Sequence, residues 1–129
     1  MSLILYVHGF LGSTASFFSF PNDLCCKCPQ TTFKIYPTYD TKGDITKQIH
    51  ALCDYLLLEA NTSLYTSVIL IGHSMGGILA LDAFHYLHNL EAVPKLVNII
   101  KIIGVDSPYF GLSSDLSSLW NVSRFFQVC

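Results

Sequence analysis

Charge is scarce in this chain. Asp, Glu, Lys and Arg make up 12% of its 129 residues, and the formal net charge is −2. Soluble domains usually carry about 25% charged residues. No basic stripe is present, so an electrostatic nucleic-acid footprint is excluded. Long apolar runs are also missing. A membrane span needs about 20 such residues, whereas the stretch 97–105 is broken by Asn98, Lys101 and Gly104. The five cysteines are an odd number, which argues against a closed disulfide framework. Cys25, Cys26 and Cys28 include a C-x-x-C, but no second ligand pair lies at zinc spacing. Neither a metal nor a cofactor is expected. Met1-Ser2 leads straight into an apolar segment, without the charged start or cleavage site of a signal peptide. That points to an intracellular, cytoplasmic protein, with peripheral membrane association left open. There is no repeat and no low-complexity segment.

What is present is hydrophobic: 51% of the residues. Part of that excess suits fully buried parallel strands. Residues 3–7, 32–36, 67–71 and 97–105 read as strands, rich in Val, Ile and Leu. Between the second and third, Asp44 is a good helix N-cap. Ile45, Ile49, Leu52 and Leu56 follow at helical spacing and make an apolar face. Residues 13–29 form an earlier crossover with Phe17, Phe18, Phe20 and Leu24 as its apolar side. Pro21 and Pro29 limit any helix there to short pieces. The fold class is therefore α/β, a doubly wound and mostly parallel sheet with crossover helices. A single domain over residues 1–129, incomplete at its C-terminus, is expected from the length.

The chemistry is concentrated in Gly72-His73-Ser74-Met75-Gly76. This is G-x-S-x-G, with a strand before it and a helical segment, residues 77–87, after it. Strand, sharp turn and helix is the context of a nucleophile elbow. Such a turn strains the serine backbone and admits only small neighbours, which Gly72 and Gly76 supply. Ser74 is the candidate nucleophile. Acyl transfer also needs two N–H donors aimed at the developing oxyanion. One is the amide of Met75, the residue after the nucleophile. The other is best assigned to Phe10, in His8-Gly9-Phe10-Leu11-Gly12 after the first strand, where Gly9 permits a tight backbone path.

These segments, with Asp106-Ser107-Pro108-Tyr109-Phe110-Gly111, resemble an α/β-hydrolase of the lipase and serine-esterase branch, which includes inositol-deacylase-like proteins. The last segment is similar to the G-T-P-H-x-G of many such lipases, with Asp106 in place of the first glycine and Tyr109 in place of the histidine. The matches span residues 3 to 111. The resemblance implies spatial strand order second, first, third, fourth. It implies a carboxylic-ester substrate, small-molecule or lipid, and a structural role for His8, which lies in the loop facing the crevice.

The chain departs from that family at its base. In this fold the order is Ser, then Asp or Glu, then His. After Ser74 the only histidines are His85 and His88, inside the helix that begins at the elbow, and the side chain of adjacent His73 is expected to point away from the serine. Asp106 is an acid candidate, with turn formation as its alternative role. Truncation before the acid and histidine is the expectation. The serine-rich tail, residues 112–129, reads either as the start of a lid or as a packing helix. Three functions stay open: a serine esterase, a catalytically inactive hydrolase fold that binds a ligand or partner, and an acyltransferase or thioesterase.

Overall fold

The computed structural model describes residues 2–62, 65–90 and 98–111. Four strands, β1 (Ser2–Val7), β2 (Thr31–Ile35), β3 (Ser67–His73) and β4 (Ile99–Val105), form one sheet in the order β2-β1-β3-β4. Every pairing is parallel, and the order is the one that the family resemblance implies. Central β1 aligns Ile4 with Phe33 on one side and with Ile69 on the other. The β3–β4 register slips between Val68 and Ile69. The tail and the Pro94 break lie outside the described residues.

Alternation along the strands divides the core in two. Leu3, Leu5, Val7, Val68 and Leu70 face helices α2 (Ile45–Thr62) and α3 (Met75–Asn89), against Leu52, Leu56, Leu79 and Ala83. Ile4, Tyr6 and Ile71 face the opposite side, where a 3-10 turn at Thr14–Phe17 and helix α1 (Phe20–Cys25) bring Phe17 and Leu24 onto them. Central β1 and its neighbour β3 are thus covered on both faces, as parallel strands usually are, whereas Ile100, Ile103 and Val105 of edge strand β4 remain exposed. Asp44 Oδ1 accepts the Thr46 N–H at 2.9 Å, capping α2. Pro21 sits in the first turn of α1, where a missing N–H costs nothing.

One expected packing residue is misplaced. Phe18 does not join the apolar side of the crossover but is 90% exposed. It ends the 3-10 turn at φ 47°, ψ −127°, and that backbone turns its ring outward. Phe20 is half exposed, with its edge on the Tyr6 ring at 5.9 Å.

Candidate active site

Ser74 lies between the end of β3 and the start of α3 with φ 52° and ψ −124°. An L-residue reaches that region only under strain, because its Cβ crowds the backbone. The surroundings hold it there. The Ser74 N–H donates to Val105 O at 2.9 Å, and the Gly77 N–H donates to Ser74 O at 3.1 Å. No residue but glycine fits at the flanks. A Cβ on Gly72 would strike the backbone of Gly77, and one on Gly76 would strike the carbonyls of Val7 and His8. The first turn of α3 therefore rests directly on β1. Met75, the first helical residue, is buried. Its amide belongs to the helical turn whose N–H groups have no intrahelical carbonyl to bond. The Ser74 side chain is half-buried, and no described residue hydrogen-bonds to its Oγ.

The loop after β1 meets the elbow at Gly9. A Cβ there would come within 2.8 Å of both Ser74 Cβ and His73 O. The Gly12 N–H donates to Gly9 O at 3.0 Å, closing a tight turn. His8 Nδ1 lies 3.1 Å from the same oxygen. The peptide unit is planar and trans, so its C=O and N–H point in opposite directions. Holding Gly9 O from one side aims the Phe10 N–H, on the same peptide, the other way. The turn thereby gives that amide a fixed direction.

Two sequence expectations fail at this loop. His8 does not face the crevice; it is completely buried. Its ring stacks on Tyr39 with centroids 4.5 Å apart, and its Nε2 has no hydrogen-bond partner among the described residues. A carbonyl oxygen can only accept, so Nδ1 is the donor to Gly9 O. A β-strand end normally sends the next side chain to the opposite face, and on that logic His73 points away from the serine. Instead His73 Nδ1 and Ser74 Cβ both border the space over Gly9. The positive φ at Ser74 breaks the strand alternation.

The segment after β4 closes the third side. Ser107 Oγ donates to Gly72 O at 3.4 Å, and the Gly111 N–H donates to Pro108 O at 3.0 Å. Tyr109 lays its ring over Gly104 and its hydroxyl beside Gly77. Asp106 is exposed, with φ 53°, and its carboxylate bonds no histidine among the described residues. The other histidines are engaged elsewhere. His88 and His85 contact the Phe84 ring on α3, and His50 contacts Tyr86. Asp82, on α3, has its carboxyl pushed up by burial, with His85 opposing. The structure thus brings Ser74, Gly9, Gly72, Gly76 and Met75 together, and among the described residues Asp106 has no histidine partner. Motif reading missed Tyr39 and Thr41, which contact the loop from the β2–α2 connection. Their only sequence signal is their place just beyond the C-terminal end of a strand.

The comparisons agree with this architecture. The PGAP1-like alpha/beta domain family matches residues 2–121. Among solved structures, the chain resembles the RedJ thioesterase from the prodiginine biosynthetic pathway of Streptomyces coelicolor, with TM-score 0.52 and 19% identity. That likeness covers 67% of this chain and 33% of the thioesterase, so the chain spans about a third of that protein's length. At that identity the likeness speaks for the fold. No curated protein matches the sequence.

Proposed function

The chain belongs to the PGAP1-like alpha/beta domain family, a family of the α/β-hydrolase fold, and from that premise we propose that it is a serine hydrolase of carboxylic esters with Ser74 as nucleophile. The observation that carries the reading is the strained Ser74 backbone, φ 52° and ψ −124°, with Gly9 set against its Cβ. Ser74 Oγ bonds to the ester carbonyl carbon and gives its proton to a general base. The carbonyl oxygen takes the negative charge, facing the amides of Phe10 and Met75. As the C=O re-forms, the alcohol leaves and takes the proton from the base. Water then repeats the sequence on the acyl-enzyme and releases the acid.

Exposed apolar side chains flank the elbow on both sides: Leu11 after β1, and Tyr109 and Phe110 after β4. They support an apolar acyl group, including that of a lipid ester. No helix among the described residues is long and apolar enough to cross a membrane. No histidine among the described residues bonds Ser74 Oγ, so the identity of the general base is the open part of this reading.

Chemical rescue tests it. The folded chain and Ser74→Ala are treated with a fluorophosphonate probe, with and without added imidazole. Slow labelling that imidazole accelerates, and that disappears in the variant, is the expected result. A folded chain with no Ser74-dependent labelling in imidazole refutes the esterase and favours the non-catalytic hydrolase fold. That second reading rests on the absence of a hydrogen-bonded base at Ser74 among the described residues.

A further inference from the structure

We propose that Tyr39 and Thr41, on the β2–α2 loop, are positioning residues that set the direction of the oxyanion amide. The proposal rests on the serine-hydrolase reading, but the contacts behind it do not. The peptide that carries the Phe10 N–H lies between two others, His8–Gly9 and Phe10–Leu11. Each neighbour is tied to the same loop. The Tyr39 hydroxyl donates to His8 O at 2.7 Å, and the Leu11 N–H donates to Thr41 Oγ1 at 3.1 Å.

The second tie holds a strained residue. Leu11 has φ 54°, a conformation unfavourable for leucine. Its side chain is 59% exposed, so packing does little to hold it there. Thr41 is buried despite its hydroxyl, whose oxygen accepts from the Leu11 amide. A strained conformation persists where its surroundings over-determine it, and Thr41 supplies that constraint.

The loop itself is anchored. Tyr36, at its start, is buried edge-on against Tyr55 of α2, and the Tyr36 and Tyr39 rings lie 5.8 Å apart. Asp40 Oδ1 accepts the Lys42 N–H at 3.0 Å, and Asp44 caps α2. The aromatic packing of α2 is therefore connected, through two hydrogen bonds, to the peptides on either side of the oxyanion donor.

Three variants separate positioning from mere support. Thr41→Val keeps the shape and removes the acceptor, Thr41→Ser keeps the acceptor, and Tyr39→Phe keeps the ring stack and removes the hydroxyl. Each is compared with the unaltered chain by amide hydrogen exchange at Leu11 and by imidazole-assisted phosphonylation of Ser74. Thr41→Val is expected to speed Leu11 exchange and to slow phosphonylation about tenfold, since small misplacements of reacting groups cost that much or more. Thr41→Ser restores both, and Tyr39→Phe slows phosphonylation in the same sense. Unchanged Leu11 exchange in Thr41→Val overturns the proposal. So does faster exchange with an unaltered phosphonylation rate, or a slowed rate that Thr41→Ser fails to restore. If the unaltered chain never labels, the hydrolase reading fails and takes the catalytic role of the loop with it. Leu11 exchange then reports separately on whether Thr41 holds Leu11.

Discussion

Ser74→Gly should make the protein more stable, although it removes the candidate nucleophile. At φ 52° and ψ −124° the serine occupies a region that glycine enters freely. Backbone strain of this kind costs about 1–3 kcal/mol. Glycine also gains freedom in the unfolded chain, which offsets about 0.4–1 kcal/mol. The side chain itself contributes little, because it makes no capping hydrogen bond to α3. Ser74→Ala is therefore the reference, expected within about 0.5 kcal/mol of the unaltered protein. Relative to it, Ser74→Gly should gain about 1 kcal/mol, or about 3–5 °C in Tm for a chain of this length. Phe18→Gly supplies a parallel measurement away from the elbow, since Phe18 has nearly the same backbone, φ 47° and ψ −127°, and a ring 90% exposed. The assay is thermal and urea unfolding of all four proteins. Ser74→Gly at or below Ser74→Ala refutes the strain argument. A gain at Phe18 without one at Ser74 shows that the elbow is not held against its own preference.

The glycine contacts make a contrasting prediction. Gly76→Ala should lose about 3 kcal/mol or more in chemical denaturation, because the new methyl meets the fixed carbonyls of Val7 and His8. Gly43→Ala, whose neighbour is the movable Asp40 side chain, should lose far less. Alkaline pH gives a third test through Cys53, a buried thiol pushed up to about 11 by burial, with Asp54 adding to the shift. The fold favours the neutral thiol, so this contribution is whole below the unfolded-state value near 9 and is lost as pH rises through 11. At about 1.4 kcal/mol per unit, two units correspond to about 2–3 kcal/mol. Burial moves Tyr36 and Tyr39 in the same direction. Cys53→Ala should flatten the decline in stability between pH 9 and 11, and an unchanged slope counts against the assignment.

The elements that the sequence revealed are those whose cause is local. The apolar runs of β1 and β3, the Asp44 cap and the helical spacing of Ile45, Ile49, Leu52 and Leu56 are all local signals, and all appear in the structure. The elbow was legible because its motif is contiguous: Gly72 is demanded locally, by the backbone of Gly77, while Gly76 answers to the distant carbonyls of Val7 and His8. The tertiary parts were not legible. Burial of His8 depends on the Tyr39 ring, 31 positions away, and the tie from Leu11 to Thr41 spans 30. Neither pairing leaves a spacing pattern. The outward turn of Phe18 follows from a backbone choice that an aromatic residue does not advertise. For the acid and base, Asp106 satisfies positional logic after β4, yet its carboxylate finds no histidine among the described residues.

The distribution of strain bears on function without reference to any motif. Among the described residues, the non-glycine ones with positive φ are Leu11, Phe18, Ser74 and Asp106. Leu11, Ser74 and Asp106 lie just beyond the C-terminal ends of β1, β3 and β4. In an open parallel sheet that edge is where ligands bind. Each strained backbone opposes folding, so its retention there calls for a compensating tie, and two ties are visible: Leu11 N–H to Thr41 and Ser74 N–H to Val105 O. A protein using this edge only to fill space would have no need to hold leucine and serine in conformations that glycine adopts more easily. The three strained loops converge on one surface, with Gly9 against the Ser74 Cβ and Ser107 against Gly72. Preorganisation of that surface is common to the catalytic and the ligand-binding readings. What separates them is whether Ser74 Oγ acquires a base, and for that reason imidazole rescue discriminates between them while thermal stability does not.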